Sequence, residues 1–422
     1  MINLHEMGQS AREAARHLAV LDQDRKNQAL MMLADLLVDQ TEPVLSANAM
    51  DIQLTEEAGL TPALIDRLRL SAASLADLAS DVRKVSELPD PVGIEFDRKV
   101  LANGLRVHRQ RVPIGVLAVI YESRPNVTVD VTSIALKSGN AVILRGGKET
   151  LHTNRALIKI IQQALTACAI PPGAVQFLDS SDRGVVLSLI QMTDVIDMLI
   201  PRGGAGLHRF CREHSRIPVM TGGIGICHLF VDQSADQEMA VKIIHNAKTQ
   251  RPSVCNSLDT VLVHRTIADD FIPALVGHLY EAGVVFRLDP AAMESIQGKP
   301  FNPDRVSLAG PDDFDTEWLS LVLGVRVVGG LDEAIDHIQI HSTGHSDGIL
   351  TRDEHNANRF IRQVDSAAVY VNASTRFTDG GQLGLGAEVA VSTQRLHARG
   401  PMGLEELTTY KWVIIGDNHI RE

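Results

Sequence analysis

The most constraining feature of this sequence is an alternation of short apolar runs with longer helical patterns, which begins at Ile114. Apolar runs of this length with helical crossovers between them predict a parallel sheet that helices cover on both faces. Because such crossovers are right-handed, the pattern predicts doubly wound α/β domains. In the first block, strands are predicted at 115–120, 141–144, 175–178, 195–200 and 227–231, and helices at 128–137, 150–167, 183–191 and 205–214.

A second block with the same alternation follows residue 255, and a helical segment precedes the first block. The first 88 residues carry periodic Ala and Leu patterns that predict helices. After them, Asn103-Gly104 separates two β-like runs, which is a strong hairpin signal, and the polar flanks of this hairpin indicate that it projects. In the second block, strands are predicted at 260–263, 284–287, 325–328, 348–350 and 367–371.

Composition excludes several classes of partner. The 422-residue chain has a net charge of −12, which disfavours binding to nucleic acid or to an anionic membrane. An anionic substrate must therefore meet a local group of cations. No run approaches 18 apolar residues, so we expect no membrane span. The four cysteines show no paired spacing, which predicts reduced thiols and a cytoplasmic protein.

One cysteine lies where a nucleophile would be expected. A helix-like run breaks at Arg251-Pro252, and Cys255 follows on a short loop before a β-branched strand. Lys248 and Arg251 flank this loop, and nearby cations favour the thiolate, which is the nucleophilic form of cysteine. A cysteine can also be a small buried core residue. The residues alone leave both interpretations open.

Two glycine-containing tracts leave predicted strands. Arg202-Gly203-Gly204 opens a helix, where backbone amides and the helix dipole favour a phosphate. Arg145-Gly146-Gly147-Lys148 follows another strand, and its two cations could meet a cofactor phosphate such as the one that marks NADP. A tight strand–helix turn and a solvated loop are the alternatives at these two places.

A third polar segment follows the first strand of the sheet. Arg124 lies at the carboxyl end of that strand, where such sheets usually bind ligands, and a guanidinium suits an oxyanion. A metal site at His341 and His345 is disfavoured because Gly344 breaks the helix that would align them, so we expect no metal. A serine hydrolase is disfavoured because the sequence has no Gly-x-Ser-x-Gly elbow.

Six stretches carry a resemblance to a known family. They are VPIGVLAVIYESRPNV at 112–127, ALKSGNAVILRGGK at 135–148, IPRGG at 200–204, NAKTQRPSVCN at 246–256, YVNASTRF at 370–377 and LHARGPMGLEELTTYK at 396–411. Together they resemble the aldehyde dehydrogenase superfamily, and they are most similar to its branch that reduces an acyl phosphate in proline biosynthesis. The resemblance covers essentially the whole chain after the helical N-terminus.

The resemblance implies an aldehyde dehydrogenase-like α/β fold, with two doubly wound parallel-sheet domains and a small β oligomerisation flap. It implies a cofactor-binding domain at 1–95 and 113–230, a catalytic domain at 231–397, and the flap at 96–112 and 398–422. The implied reaction is NADPH-dependent reduction of L-glutamyl 5-phosphate to L-glutamate 5-semialdehyde and phosphate. The implied partners are further copies of the chain, bound through the flap, and glutamate 5-kinase.

The resemblance also implies roles for particular residues. Cys255 is the implied nucleophile, and its oxyanion would be held by its own backbone amide with Arg124 or Asn256. Glu317 falls where the superfamily contacts the nicotinamide ribose. Further cofactor contacts are expected from Arg145, Gly146, Gly147, Lys148, Arg202, Gly203 and Gly204, and substrate contacts from Arg124, Lys248, Asn372 and Arg376.

Two departures from hydrolytic members of the superfamily bear on the reaction. Those members have Glu-Leu-Gly-Gly, whose Glu activates water, where this chain has Met220-Thr221-Gly222-Gly223. Arg124 stands nearest to the place of their oxyanion-binding Asn. Without a base for water, a thioester can accept hydride before it is hydrolysed. The alternatives are a hydrolytic NAD(P)-dependent aldehyde dehydrogenase and a non-catalytic subunit that binds nucleotide and holds a kinase.

Overall fold

The computed structural model of the chain describes residues 3–180, 182–222 and 224–421. Gly223, at the end of the Met220 segment, therefore lies outside the described residues. The α-helices are α1 (Leu4–Leu18), α2 (Gln23–Asp39), α3 (Thr41–Glu57), α4 (Pro62–Leu68), α5 (Ala72–Glu87), α6 (Val127–Lys137), α7 (Leu151–Ala167), α8 (Arg183–Leu189), α9 (Ala205–His214), α10 (Gln237–Thr249), α11 (Ala268–Glu281), α12 (Pro290–Ser295), α13 (Leu331–His341) and α14 (Glu354–Gln363).

The strands alternate with these helices over most of the chain. They are β1 (Glu95–Val100), β2 (Arg106–Pro113), β3 (Val116–Tyr121), β4 (Ala141–Arg145), β5 (Val175–Phe177), β6 (Met198–Arg202), β7 (Cys227–Val231), β8 (Leu258–His264), β9 (Val285–Leu288), β10 (Val306–Leu308), β11 (Val322–Val328), β12 (Ser346–Leu350), β13 (Ala368–Val371), β14 (Val391–Ser392), β15 (Gly400–Pro401) and β16 (Thr408–Ile415).

The chain divides into two compact units. Unit 1 comprises Met1–Thr221, Gly384–Ala390 and Met402–Glu422, and unit 2 comprises Gly222–Leu383 and Val391–Pro401. Each unit contains a parallel sheet, and the α/β class expected from the sequence is confirmed. No α-helix among the described residues is long and apolar enough to cross a membrane.

Unit 1 holds a four-stranded parallel sheet in the order β5-β4-β3-β6. Every residue of β3 is buried, as expected for a central strand of a covered sheet. The predicted strand at 195–200 is wrong at its start, because β6 begins at Met198 and extends to Arg202. Pro201 is accommodated because β6 is an edge strand, where a proline interrupts no central ladder.

Unit 1 also contains a three-stranded antiparallel sheet, β1-β2-β16. The hairpin predicted around Asn103-Gly104 is confirmed, and it joins β1 to β2. β16 pairs with β2 along its whole length, from Thr408 opposite Pro113 to Ile415 opposite Arg106. The side chain of Arg109 stacks over the rings of neighbouring aromatic residues on β16, which stabilises this sheet through cation–π contacts.

Unit 2 holds a seven-stranded parallel sheet in the order β10-β9-β11-β8-β7-β12-β13. The sequence placed the strand 227–231 in the first block, and this was wrong. β7 pairs in parallel with β8 and β12, so it is a strand of the second sheet. All residues of β8 are buried, which fixes the strand that directly follows the Cys255 loop.

A buried carboxylate fixes the start of α7, directly after the Arg145–Lys148 tract. Asp51 on α3 is 2% exposed. Its oxygens accept hydrogen bonds from the backbone N–H groups of His152 and Thr153 at 3.1 and 2.7 Å. They also bond the ring Nδ1 of His152 at 2.8 Å and accept from the hydroxyl of Thr153 at 2.6 Å. One side chain thus accepts hydrogen bonds from backbone N–H groups in the first turn of α7, which have no acceptor within the helix.

Replacing Asp51 by Ala is expected to lower the free energy of unfolding by about 3 kcal/mol, because several buried donors lose their acceptor. Urea denaturation followed by circular dichroism measures this change. Asp39→Ala, at an exposed position on α2, is the control and is expected to change it by less than about 0.5 kcal/mol. Equal losses in the two variants would contradict this role of Asp51.

Candidate active site

Cys255 lies in a tight turn between α10 and β8. The N–H of Ser257 donates to the carbonyl of Val254 at 3.0 Å, which closes the turn around Cys255 and Asn256. Cys255 is partly buried. The break at Arg251-Pro252 ends α10 as the sequence predicted, because a proline disfavours helical backbone in the residue before it. The turn therefore holds a thiol at the edge of the sheet of unit 2.

The backbone of Cys255 is supported from behind by the segment that leads into β7. A Cβ atom placed on Gly225 would lie 1.6 Å from the carbonyl oxygen of Cys255, so only glycine fits there. The thiol of Cys227 donates to the same oxygen at 3.3 Å. The Gly225 N–H in turn donates to a carboxylate oxygen of Glu317 at 2.8 Å. Gly225 and Cys227 thus both contact the carbonyl of Cys255, and Glu317 holds Gly225 in place.

Asn256 uses its side-chain amide inside the loop structure of unit 2. Its Nδ2 donates to the carbonyl of Thr378 at 2.9 Å and to that of Arg376 at 3.4 Å. Its own carbonyl accepts from the hydroxyl of Thr375 at 2.7 Å. Asn256 is 4% exposed. These contacts tie the Cys255 turn to the 375–378 segment, and they occupy the amide group that an oxyanion would need.

Lys248 is fully buried and points away from solvent. Its ammonium donates to the carbonyl of Leu258 at 2.8 Å and lies 3.6 Å from a carboxylate oxygen of Asp259. Burial lowers the pKa of Lys248, and the Asp259 carboxylate opposes this shift. Burial also raises the pKa of Asp259 to about 6, against the attraction of Lys248. The pair lies in the interior of unit 2, and the contacts of the Lys248 ammonium are with Leu258 and Asp259.

Two of the other residues expected to contact substrate differ in their surroundings. Asn372 exchanges two hydrogen bonds of 2.8 Å with the backbone of Thr351, so both ends of its amide are occupied. Arg376 is half-buried, and its Nε donates to the side chain of Gln250 at 3.0 Å. Burial, followed by the proximity of the Arg251 cation, lowers the pKa of Arg376. An anion bound near Arg251 and Arg376 would offset the repulsion between their positive charges.

Glu317 is an acid with a strongly altered proton affinity. Burial raises its pKa to about 7, against the stabilising hydrogen bond from Gly225, and the Asp259 carboxylate adds to the rise. The N–H of the next residue, Trp318, donates to Asp259 at 3.2 Å. Perturbed acids of this kind are enriched at functional sites. The sequence singled out Glu317, but its link to Gly225 was not visible there.

The residues expected to bind the cofactor follow the carboxyl ends of strands in unit 1. Arg145 ends β4 opposite Ile120, and Arg202 ends β6 opposite Tyr121. Parallel pairing therefore brings the two glycine tracts to the same edge of this sheet. Arg145 is partly buried, and its Nε has no hydrogen-bond partner among the described residues. Lys148 is exposed in a short 3₁₀ turn after Gly147.

Two glutamates at this edge were missed by the sequence analysis. A carboxylate oxygen of Glu122 accepts from the N–H of Gly204 at 3.0 Å, at the N-terminus of α9. Glu149 accepts from both the N–H and the hydroxyl of Ser123, at 2.8 and 2.9 Å. A carboxylate is the expected stabiliser of a helix N-terminus. The segment YESRPNV signalled polar chemistry, but gave no indication of which amides these acids bind.

Arg124 lies in the loop between β3 and α6. Its carbonyl accepts from the N–H of Val127 at 3.1 Å, which closes the turn into α6. Its side chain is exposed. Among the described residues, no group of three or more His, Cys, Asp or Glu side chains is arranged to hold a metal ion.

The comparison with known proteins agrees with this arrangement. A family model described as "Aldehyde dehydrogenase family" matches residues 3–293. The chain therefore belongs to the aldehyde dehydrogenase family. An acetylating aldehyde dehydrogenase from Geobacillus thermoglucosidasius is 19% identical, covers 99% of this chain and 97% of its own, and has a TM-score of 0.71, which shows a shared fold.

The more similar proteins carry a particular name. The gamma-glutamyl phosphate reductase of Escherichia coli O81 (strain ED1a) is 57% identical over 418 residues, which is 99% of this chain and 100% of the relative. The crystal structure of gamma-glutamyl phosphate reductase from Thermotoga maritima is 45% identical, covers 100% of both chains and has a TM-score of 0.96. These full-length similarities confirm the branch of the family predicted from the sequence.

The raised pKa of Glu317 predicts a pH dependence of stability. In the unfolded chain this group loses its proton near 4.5, whereas the folded chain holds it up to about 7. The folded state thus binds more protons between these values, and its stability is expected to fall as pH rises from 4.5 to 7. Urea denaturation of the parent at pH 6 and pH 7.5 measures this loss, and Glu317→Gln is expected to reduce it.

Glu281→Gln, at the exposed end of α11, is the matched control because it removes the same charge elsewhere in unit 2. It should retain the parent's difference between pH 6 and pH 7.5. The same difference in the parent and in Glu317→Gln would show that Glu317 titrates normally in the folded chain.

Proposed function

We propose that this chain catalyses the NADPH-dependent reduction of L-glutamyl 5-phosphate to L-glutamate 5-semialdehyde and phosphate, in proline biosynthesis. The observation that carries the proposal is the full-length similarity to gamma-glutamyl phosphate reductases. The Cys255 turn supports it, because a partly buried thiol there is supported from behind by the backbone of another segment. Such support suits a nucleophile that must meet one carbon atom in one orientation.

In this proposal the Cys255 thiolate attacks the acyl carbon of the glutamyl phosphate. The carbon–sulfur bond forms, phosphate leaves with the electron pair of the carbon–oxygen bond, and a thioester remains on Cys255. NADPH, when bound, supplies the hydride that reduces this acyl group. The oxyanion of the resulting thiohemiacetal then re-forms a carbonyl as the carbon–sulfur bond breaks, which releases the aldehyde and regenerates the Cys255 thiolate. Met220, in place of an acid, provides no base for water.

Attack on the acyl carbon places negative charge on its oxygen, and hydrogen-bond donors must stabilise this oxyanion. The backbone N–H of Cys255 is the natural donor, because attack by its own sulfur brings the developing charge close to it. We propose that the exposed guanidinium of Arg124 binds oxyanion or phosphate charge. For Asn256 we propose a positioning role, because its side-chain amide already donates to two carbonyl oxygens.

For the glutamate end of the substrate we propose Arg376 as the main contact. Its guanidinium is half-buried and lies near the Arg251 cation, and this arrangement favours binding of a carboxylate. Lys248 and Asn372, which the sequence also suggested, are better explained as structural residues. Lys248 is buried on Leu258 and Asp259, and Asn372 is bound to the backbone of Thr351.

The cofactor proposal rests mainly on the Arg145–Lys148 tract. Arg145 has a buried Nε without a hydrogen-bond partner among the described residues, and a phosphate oxygen would satisfy it. Lys148 supplies an exposed cation near it in sequence, which suits the additional phosphate of NADPH. Arg202, Gly203 and Gly204 remain proposed contacts, although Glu122 occupies one amide there. We keep Glu317 as a proposed contact of the nicotinamide ribose.

The β1-β2-β16 sheet is the proposed flap for self-association. Its last strand exposes large apolar side chains, including Trp412 at 51% and Ile414 at 64%, and such a patch commonly marks a protein interface. The limits expected for the domains and flap, an association with glutamate 5-kinase, and a cytoplasmic location inferred from cysteine spacing remain predictions. A further copy of the chain is the partner that we propose for this surface.

A reverse assay tests the proposed function directly. The protein is incubated with glutamate semialdehyde and NADP⁺, with and without inorganic phosphate. The rate of NADPH formation is followed by absorbance and compared between the two conditions. We expect turnover only with phosphate, because phosphate must cleave the thioester. Formation of free acid without phosphate would instead identify a hydrolytic aldehyde dehydrogenase. Binding of NADPH without any turnover would identify a non-catalytic subunit.

Cys255→Ser is expected to lower this turnover by at least about 10³-fold, because a serine hydroxyl is a far weaker nucleophile than a thiolate. NADPH binding, measured by fluorescence titration, should stay close to that of the parent. Turnover within tenfold of the parent would remove Cys255 from its proposed role.

Lys148→Ala tests the cofactor assignment. We expect the KM for NADPH to rise about tenfold, which corresponds to the loss of one charge-assisted hydrogen bond, while the KM for NADH changes little. Lys159→Ala is the control, because Lys159 is an exposed lysine on the following helix, α7. An equal rise for both cofactors, or no rise for NADPH, would contradict a role in binding the additional phosphate.

A further inference from the structure

The carbonyl group of Cys255 has a donor that the proposed reaction does not use. Cys227, the first residue of β7, is 0% exposed, and its Sγ lies 3.3 Å from the carbonyl oxygen of Cys255. Burial raises the pKa of Cys227 well above its ordinary value. The group therefore stays a thiol at neutral pH and can donate its proton to the carbonyl. A second cysteine thus contacts the peptide that carries the first.

Cys227 is itself held by a buried acid. Its backbone N–H donates to one carboxylate oxygen of Asp259 at 3.4 Å, and the other oxygen accepts from Trp318 at 3.2 Å. Lys248 lies 3.6 Å from this second oxygen. Asp259 is 2% exposed and Lys248 is 0% exposed. The donor to Cys255 is thus anchored from the interior of unit 2.

Gly225 limits the alternative positions of the same carbonyl. Its backbone lies so close to the Cys255 oxygen that no Cβ atom fits between them. The hydrogen bond from Gly225 to Glu317 holds this segment in place. The Cys255 carbonyl is therefore confined on one side by the backbone of Gly225, and it accepts a hydrogen bond from the thiol of Cys227.

We propose that Cys227 is a positioning residue, whose thiol fixes the orientation of the Cys255 peptide and so aims the Cys255 sulfur at the acyl carbon. The inference rests on the proposed role of Cys255 as the nucleophile. Rotation of the peptide between Cys255 and Asn256 changes the backbone geometry from which the nucleophile's side chain extends. A displacement well below 1 Å at the reacting atom is enough to slow an oriented attack.

The test compares Cys227→Ala, which removes the donor, with Cys227→Ser, which keeps one. Three quantities are measured for each: kcat and KM in the phosphate-dependent assay, the rate at which iodoacetamide alkylates Cys255, and the thermal midpoint. We expect Cys227→Ala to lower kcat about fivefold, or ~1 kcal/mol, with an unchanged KM. Alkylation of Cys255 should slow in parallel, and Cys227→Ser should restore most of both rates.

Cys211→Ala is the matched control, because Cys211 is also 0% exposed but lies in unit 1 on α9. It should lower the thermal midpoint to a similar extent without changing kcat or the alkylation rate. If Cys227→Ala does not fold, Cys227→Val replaces it, since valine fills the space without a donor, and the same fivefold loss is expected.

The inference is overturned if the donor-free variant keeps the parent's kcat, or if the Ser and Ala variants lose kcat equally. A failure of the proposed function has a different result. In that case the parent forms free acid without phosphate or shows no turnover at all. Phosphate-dependent turnover that survives complete alkylation of Cys255 would instead remove Cys255 as the nucleophile, and the positioning role of Cys227 with it. Parent-like turnover of Cys227→Ala that alkylation of Cys255 still abolishes would remove only the positioning role.

Discussion

The ion pair between Lys248 and Asp259 is the interaction on which the geometry around Cys255, the proposed nucleophile, depends. Both side chains are buried, and together they connect α10, the start of β7, the start of β8 and the Trp318 segment. Isolated buried charges are costly, so such a pair stabilises a fold only when its remaining hydrogen-bonding groups are satisfied. Here the Asp259 oxygens accept two backbone N–H groups, which meets that requirement and fixes where each segment lies.

This arrangement keeps acidic groups in places that oppose their ionisation. The pKa values of Asp259 and Glu317 are raised to about 6 and about 7, mainly by burial. A fold selected for stability alone would avoid both shifts. They are tolerated because the two carboxylates hold backbone amides of the segments that surround the Cys255 turn. Burial of these acids thus lowers stability but fixes the position of the Cys255 peptide, a pattern common at functional sites.

The sequence predicted the local features and missed the tertiary ones. Apolar runs identified most strands because burial on both faces leaves a continuous local pattern. Both ends of β6 were misplaced, because the apolar pattern begins at Val195, before the strand, and because Pro201 and Arg202 do not resemble a strand. Lys248 and Asn372 lie in recognisable motifs, but their partners are backbone groups supplied by the fold. The contact from Cys227 has no sequence signature, because it joins the start of β7 to the turn before β8, and these two strands become neighbours only in the sheet.

At the edge of the unit 1 sheet, where the strands end, the partly buried group with an altered environment is a cation and not an acid. Glu122 already satisfies an amide at the N-terminus of α9, while Arg145 keeps a buried Nε without a partner among the described residues. A phosphate would compete with the Glu122 carboxylate for the N–H of Gly204, whereas at Arg145 it would supply an acceptor to a donor that has none among the described residues. Because an unsatisfied buried donor costs more than a satisfied one contributes, anion binding should be strongest at Arg145. We therefore expect the Arg202-Gly203-Gly204 tract to be the weaker of the two proposed anion sites.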